Sequence, residues 1–333
     1  MLKHVIFKDF QLNGWEYGML RSFEAAISTV TGAEAHPIPP YLFLRDHIHR
    51  LGYGMNKSWL RKYIPKTPFA PQADIGWCIL MGPENYKLDL FKDWTKSVKT
   101  KILYIYDTMP SQYPVIKQIL ATDVWDVLIT SFNDAVPDLE KRTNRKWHCI
   151  SQAADRSLFK RIPLEERFIH FSSYGRRLDR VHDIVKDFCK TNNLYYDYTT
   201  HDGKHPMADA TDLYKQYAWH ISHSVFTFSW PVEVTNPKRC APLRPITCRW
   251  FEAAGASTLI LGEKPDNPSF DKLLPNGLVN SIQYLETDRV IYEQIEGLWN
   301  NREVLHNKLN ESLMNFHNNI YWEDRVEEIL KLI

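Results

Sequence analysis

Two doubly wound α/β halves are expected from this sequence, on three grounds. Apolar runs of strand length alternate with stretches at helical spacing along nearly the whole chain. That is the pattern of a parallel sheet covered by helices on both faces. The alternation completes one series, breaks in a polar stretch around Pro163, and starts again. The length of 333 residues, with 44% hydrophobic and 24% charged residues, suits two ordinary globular domains and excludes a mainly disordered, collagenous or coiled-coil chain.

The elements follow in order. Residues 4–7 form a first apolar strand, and residues 19–30 place Leu20, Phe23, Ala26 and Ile27 at helical spacing. Residues 75–81 are a strand ended by Gly82 and Pro83. Residues 101–106 are a strongly apolar strand followed by Asp107. Residues 124–130 are another, with a helix starting near Asn133, and residues 147–150 close the first series. The second series has strands at 168–172, 194–198, 225–228 and 258–261, and helices at 178–191, 213–222 and 246–254. Two long helical stretches, 290–313 and 322–333, finish it. The expected division is a first domain over 1–152 and a second over 164–315, with a terminal helix of about 320–333 packing back on the first. Doubly wound halves bind ligands beyond the C-terminal ends of their strands, so a cleft between the two is the expected site.

Composition narrows the function classes. Lys+Arg 41 against Asp+Glu 40 leaves a net charge of +1, too little for a global field that recruits nucleic acid or an anionic membrane. The five cysteines, Cys78, Cys149, Cys189, Cys240 and Cys248, are widely spaced without a CxxC pair. Neither a disulfide framework nor a structural zinc site is expected, and a reducing compartment fits. No apolar run approaches the ~18 residues of a membrane span, and the first apolar stretch is too short for a signal peptide, so the expected location is cytoplasmic. One local exception is residues 45–66. There Arg45, Arg50, Lys57, Arg61, Lys62 and Lys66 face only Asp46, with Tyr53, Trp59 and Tyr63 interleaved. Such a patch suits an anionic acceptor or a peripheral membrane surface; nucleic acid is a partner it permits but the net charge does not favour.

The segment richest in chemistry runs Ile246-Thr247-Cys248-Arg249-Trp250-Phe251-Glu252-Ala253-Ala254-Gly255-Ala256 into a buried strand. Pro245 and Thr247 mark a helix start, whose free N–H groups suit a diphosphate. A carboxylate one turn further in, Glu252, can bind vicinal ribose hydroxyls. A second segment, Ser173-Tyr174-Gly175-Arg176-Arg177, leaves a strand and opens a helix. Ser173 and Gly175 let backbone N–H groups approach phosphate, and Arg177 adds charge. A third, from Ser151 to Phe159, contains Asp155 in the polar break. Between Trp230 and Pro245 lie three prolines with Lys238, Arg239 and Arg244, a cationic loop able to neutralise a leaving diphosphate.

These segments resemble GT-B glycosyltransferases, and most closely the group 1 branch that includes spore-maturation-type proteins. The resemblance covers residues 150–280 best and the first half only by architecture. It implies a nucleotide-sugar donor bound mainly by the second domain through Glu252, Arg249, Gly255, Ser173, Gly175, Arg177, Lys238 and Arg239. It implies a glycine-containing loop at Gly14, and an acceptor, a glycan or another molecule, on the first domain. Asp107 and Glu16 are the catalytic candidates on the acceptor side. No cofactor beyond the nucleotide-sugar co-substrate and no metal are implied, and no DxD pair stands where a metal-dependent transferase would need one. The earlier glutamate of many retaining members is Arg244 here. The expected reaction is glycosyl transfer, retaining and metal-independent. A sugar-nucleotide epimerase, a non-catalytic nucleotide-binding protein and a DNA-directed glycosyltransferase stay open beside it. His220 and His223 have no acid within one helical turn and are expected to be structural.

Overall fold

The computed structural model describes residues 2–9, 17–38, 70–86, 88, 91, 93–122, 125–199, 210–316 and 320–333. The chain divides into two compact units. One is Met1–Ser151 together with Arg325–Ile333, and the other is Gln152–Asp324.

The first unit runs β1 (His4–Lys8), α1 (Gly18–Thr31), β2 (Glu34–Pro37), β3 (Ala73–Leu80), α2 (Trp94–Ser97), β4 (Val98–Ile105), α3 (Tyr113–Thr122), β5 (Val127–Thr130), α4 (Val136–Thr143) and β6 (His148–Cys149). Its sheet has the order β2-β1-β3-β4-β5-β6, parallel throughout. β3 and β4 are central and covered on both faces, so their apolar residues run continuously instead of alternating. On α1 the expected Leu20, Phe23, Ala26 and Ile27 are buried. Gly32 stops the helix in the left-handed region, φ 69°, with its N–H donating to Ser28 O. Arg21 and Glu24 are buried on the same helix. Arg21 Nη1 donates to both Glu24 carboxylate oxygens, at 3.0 and 2.8 Å, and Lys8 Nζ lies 3.6 Å from Glu24.

The second unit runs β7 (Ile169–Ser173), α5 (Asp179–Thr191), β8 (Tyr196–Tyr198), α6 (Ala210–Ser222), β9 (Ser224–Ser229), α7 (Val232–Thr235), α8 (Pro237–Cys240), α9 (Cys248–Ala256), β10 (Leu259–Gly262), α10 (Phe270–Leu273), β11 (Val279–Ser281), α11 (Asp288–Asn300) and α12 (Arg302–Asn315). It ends in α13 (Trp322–Leu330), whose last turns belong to the first unit. The parallel sheet has the order β11-β10-β9-β7-β8. The chain steps from β7 outward to β8, then returns to the other side of β7 as β9. The topological switch point therefore lies beyond the C-terminal ends of β7 and β9, where doubly wound sheets bind ligands. Below it, Phe171 stacks on Phe226 at 5.4 Å and meets Phe188 edge-on. At the opposite end of the sheet the buried Arg167 guanidinium ties four segments. It donates to Ile162 O, Ser224 O, Ala256 O and Thr258 Oγ1 at 2.7–3.0 Å.

The α/β class with two parallel sheets is as expected. The differences have physical causes. β2 and β11 lack apolar runs because they are short edge strands facing solvent. The expected stretch at 290–313 is two helices. The chain breaks at Asn301, whose side-chain amide donates to Gly297 O at 2.8 Å and competes with the helix.

Candidate functional site

The turn that leaves β7 stands at the switch point of the second sheet. Ser173, the last strand residue, is buried. Gly175 takes φ +79°, and a Cβ there would lie 2.9 Å from Arg249 Nη2. The left-handed backbone favours glycine here, and the Arg249 guanidinium lies close against it. The Gly175 N–H donates to Thr199 Oγ1 at 3.3 Å. Arg177 donates through Nη1 to Thr199 O at 3.2 Å and pairs through Nε with Asp179 at 3.1 Å. Tyr174 O–H donates to Asp197 Oδ2 at 2.6 Å.

Arg249 and Glu252 both rise from α9, one turn apart. The helix begins after an extended Thr247, whose side chain makes no capping bond. Arg249 is half-buried. Glu252 is only 1% exposed. Tyr214 O–H donates to its Oε1 at 2.5 Å and Tyr217 O–H to its Oε2 at 2.8 Å. Burial pushes the Glu252 carboxyl up, opposed first by the Tyr214 hydroxyl and then by the Arg249 charge. Burial, then the Glu252 charge, pushes both tyrosine hydroxyls well up, so they remain donors.

The Glu252 oxygens are engaged inside the unit by two tyrosine hydroxyls, one turn from Arg249. Gly255 sits near the buried C-terminal end of α9, where the helix was expected to run into the strand. A Cβ there would meet Ala154 Cβ at 3.0 Å and Phe159 Cβ at 3.3 Å. It serves close packing of α9 on the 154–159 segment. His220, expected to be structural, has an acid partner from outside its own helix: Asp197, brought by β8.

The surroundings are cationic. The Cys240 thiol, raised by burial, feels Glu233, Arg244 and Arg176; the Cys248 thiol feels Glu252, Arg249 and Arg176. Arg176 from the turn thus lies within electrostatic reach of both thiols, as does Arg244 of Cys240 and Arg249 of Cys248. Lys238 and Arg239 are exposed on α8. Sequence reasoning did not pick out Arg176, Tyr174, Tyr214, Tyr217 or Asp197 for this site. The available signal was Tyr214, Tyr217 and His220 at successive spacings of three on one helix face.

In the first unit, Asp107 follows β4 at the C-terminal edge of the sheet. It is half-buried, with its N–H donating to Met81 O at 2.8 Å. Beside it, Thr108 and Thr130 hydroxyls bond at 2.6 Å. Gly14, Glu16 and the basic stretch from Arg45 to Lys66 lie outside the described residues. Among the described residues, no three His, Cys, Asp or Glu side chains are grouped to hold a metal ion. No helix among them is long and apolar enough to cross a membrane.

No family model matches the chain, and no curated protein matches it. Solved structures do. A glycosyltransferase from Rickettsia africae ESF-5 aligns with a TM-score of 0.52 and 10% identity, over 99% of this chain and 97% of that one. TarM aligns with a TM-score of 0.51 and 12% identity, over 82% of this chain and 57% of that one. A putative UDP-N-acetylglucosamine 2-epimerase from Listeria monocytogenes aligns with a TM-score of 0.49 and 12% identity, over 99% and 94%. The fold is GT-B. At these identities the likeness is one of architecture, namely parallel sheets of six and five strands with their helices.

Proposed function

We propose that this GT-B chain is a glycosyltransferase whose second unit binds a nucleotide-sugar donor by its diphosphate. The observation that carries the reading is the left-handed Gly175 turn with the Arg249 guanidinium against it, at the switch point of the five-stranded sheet. A turn at a helix start offers N–H groups to an anion, and arginine adds paired, charge-assisted donors. Transfer breaks the bond between the sugar and the diphosphate and joins the anomeric carbon to an acceptor oxygen. Charge then grows on the departing diphosphate. Arg176, Arg244 and Arg249, with exposed Lys238 and Arg239, are the groups to stabilise it. Ser173 and Arg177 shape the turn. We take Glu252, whose oxygens accept from Tyr214 and Tyr217, as a charge partner of Arg249.

The first unit supplies Asp107 on the acceptor side. In the retaining, metal-independent course we favour, it orients the acceptor hydroxyl. In an inverting course it would take that hydroxyl's proton. The anomeric configuration of the product, read by NMR, separates the two.

The test is thermal stabilisation by UDP, GDP, ADP, CMP and dTDP. At 100 times its dissociation constant a ligand adds about 2.7 kcal/mol. One nucleotide should stabilise the wild type, and Arg249→Ala should weaken its binding about tenfold or more. No stabilisation by any of them would remove the reading. A non-catalytic nucleotide-binding protein is the second reading, favoured by the engaged carboxylate of Glu252. It predicts the same stabilisation with no consumption of any nucleotide-sugar.

A further inference from the structure

We infer that Asp197, gripped between Tyr174 and His220, is a positioning residue that holds the donor's diphosphate-binding turn in its working shape. The inference rests on the donor reading above and adds a device to it.

The turn is fastened at three points from β8 and the residue that follows it. Register places Asp197 beside Ser172 and Tyr198 beside Ser173, so the ends of β7 and β8 run together. Beyond the ladder, Asp197 accepts from Tyr174 O–H at 2.6 Å, Thr199 Oγ1 from Gly175 N–H at 3.3 Å, and Thr199 O from Arg177 Nη1 at 3.2 Å. Tyr174, Gly175 and Arg177 are three of the turn's five residues. Asp197 is the one charged acceptor in this set, so its bond is the strongest of the three. It is itself fixed. His220 from α6 pairs through Nδ1 with the same Oδ2 that Tyr174 uses. The His220 bond holds the Asp197 carboxyl below the usual carboxylate range against the opposing effect of burial. Tyr174, its hydroxyl pushed up chiefly by burial, stays a donor.

The fastening closes on itself. The Tyr174 ring packs edge-on against Tyr217 at 5.4 Å and against His220 at 5.8 Å. Tyr217 holds Glu252, and Arg249, one turn from Glu252, lies against Gly175. The guanidinium lies within the charge field of Glu252, and the backbone it covers is anchored through Asp197. A diphosphate needs both at fixed spacing, because oriented donors gain most when they are ordered before the ligand arrives.

Tyr174→Phe removes one hydroxyl and keeps the ring packing, so the variant should fold. Two measurements test the inference: amide hydrogen exchange of residues 173–178, and calorimetric titration with UDP and UMP, GDP and GMP, and ADP and AMP. Tyr174→Phe and Asp197→Ala should speed exchange in that segment. They should also weaken the bound diphosphate about tenfold and its monophosphate less, with little change in Tm for Tyr174→Phe. His220→Gln, which can still donate to Asp197, should behave like wild type, and His220→Leu like Tyr174→Phe. Unchanged exchange in Tyr174→Phe and Asp197→Ala overturns the inference, as does equal weakening of mono- and diphosphate. If wild type binds a nucleotide and the variants bind it equally, the inference alone fails. If wild type binds none, the donor reading fails and takes the inference with it.

Discussion

The left-handed backbone of Gly175 and the fully buried carboxylate of Glu252 show how far a residue's identity reaches and where it stops. Both stand out in the sequence, one as a glycine between a strand and a helix, the other as the acid of an Arg-x-x-Glu pair. That Arg249 crosses from α9 to cover Gly175 was not legible, because the two are far apart in the chain and no periodicity links them. The Asp197–His220 pair was hidden for the same reason. The burial of Glu252 was hidden because its tyrosine partners read as ordinary core aromatics. His306 makes a separate case. It is buried, with Nδ1 3.1 Å from the Asn310 amide. Burial first, then the Arg167 charge, lowers its pKa from 6.5 to about 4. A lowered histidine favours the neutral form in the fold, while the unfolded chain takes up its proton below pH 6.5. Stability should therefore fall as pH drops from about 6.5 to about 4, then lose its dependence on this group. In His306→Gln that part of the decline should vanish, as followed by thermal melts across the same pH range. An unaltered pH slope would show that His306 titrates normally.

At the scale of elements, legibility followed burial. β3, β4 and β10 are covered on both faces and read through apolar runs, and β9 through Val225, Phe226 and Phe228 around Thr227. The edge strand Glu34–Pro37 is mostly exposed, has no apolar run and gave no signal. The helix Tyr113–Thr122 was missed although Ile116 and Ile119 are buried at helical spacing, because Pro110 and Pro114 punctuate its start. α1 carries a charged group within its buried face, and that group sets its sensitivity. Glu24 faces Arg21 and Lys8 where little water reaches. Glu24→Ala would leave the Arg21 guanidinium, 8% exposed, without its carboxylate. The expected cost is about 3–5 kcal/mol, or roughly 10 °C in the melting of the first unit, measurable by differential scanning calorimetry. A loss under about 1 kcal/mol would mean that water or a rearranged Arg21 compensates.

For the whole molecule, the two units carry different parts of the proposed reaction. Arg249 and the Gly175 turn belong to the second unit, and Asp107 to the first. Substitutions should therefore separate binding from turnover. Asp107→Asn should reduce transfer about 100-fold or more and leave nucleotide stabilisation at the wild-type value, the reverse of the pattern expected for Arg249→Ala. Full transfer by Asp107→Asn in a steady-state assay would move the acceptor-side role to another residue. The two-series pattern of strands and helices was legible because each series repeats the same alternation. The return of the terminal helix to the first unit was an expectation of the resemblance, since an amphipathic helix at the chain's end does not by itself reveal which surface it covers.

That last feature reaches into biosynthesis. The first unit comprises Met1–Ser151 and Arg325–Ile333, and Val326 and Ile329 are fully buried in the finished protein. A ribosome that has just made residue 151 must add roughly 180 more residues before the unit's final piece exists, about 10–40 s at ordinary elongation rates. The second unit can be synthesised whole in that interval, so the part of the chain made first is the part completed last.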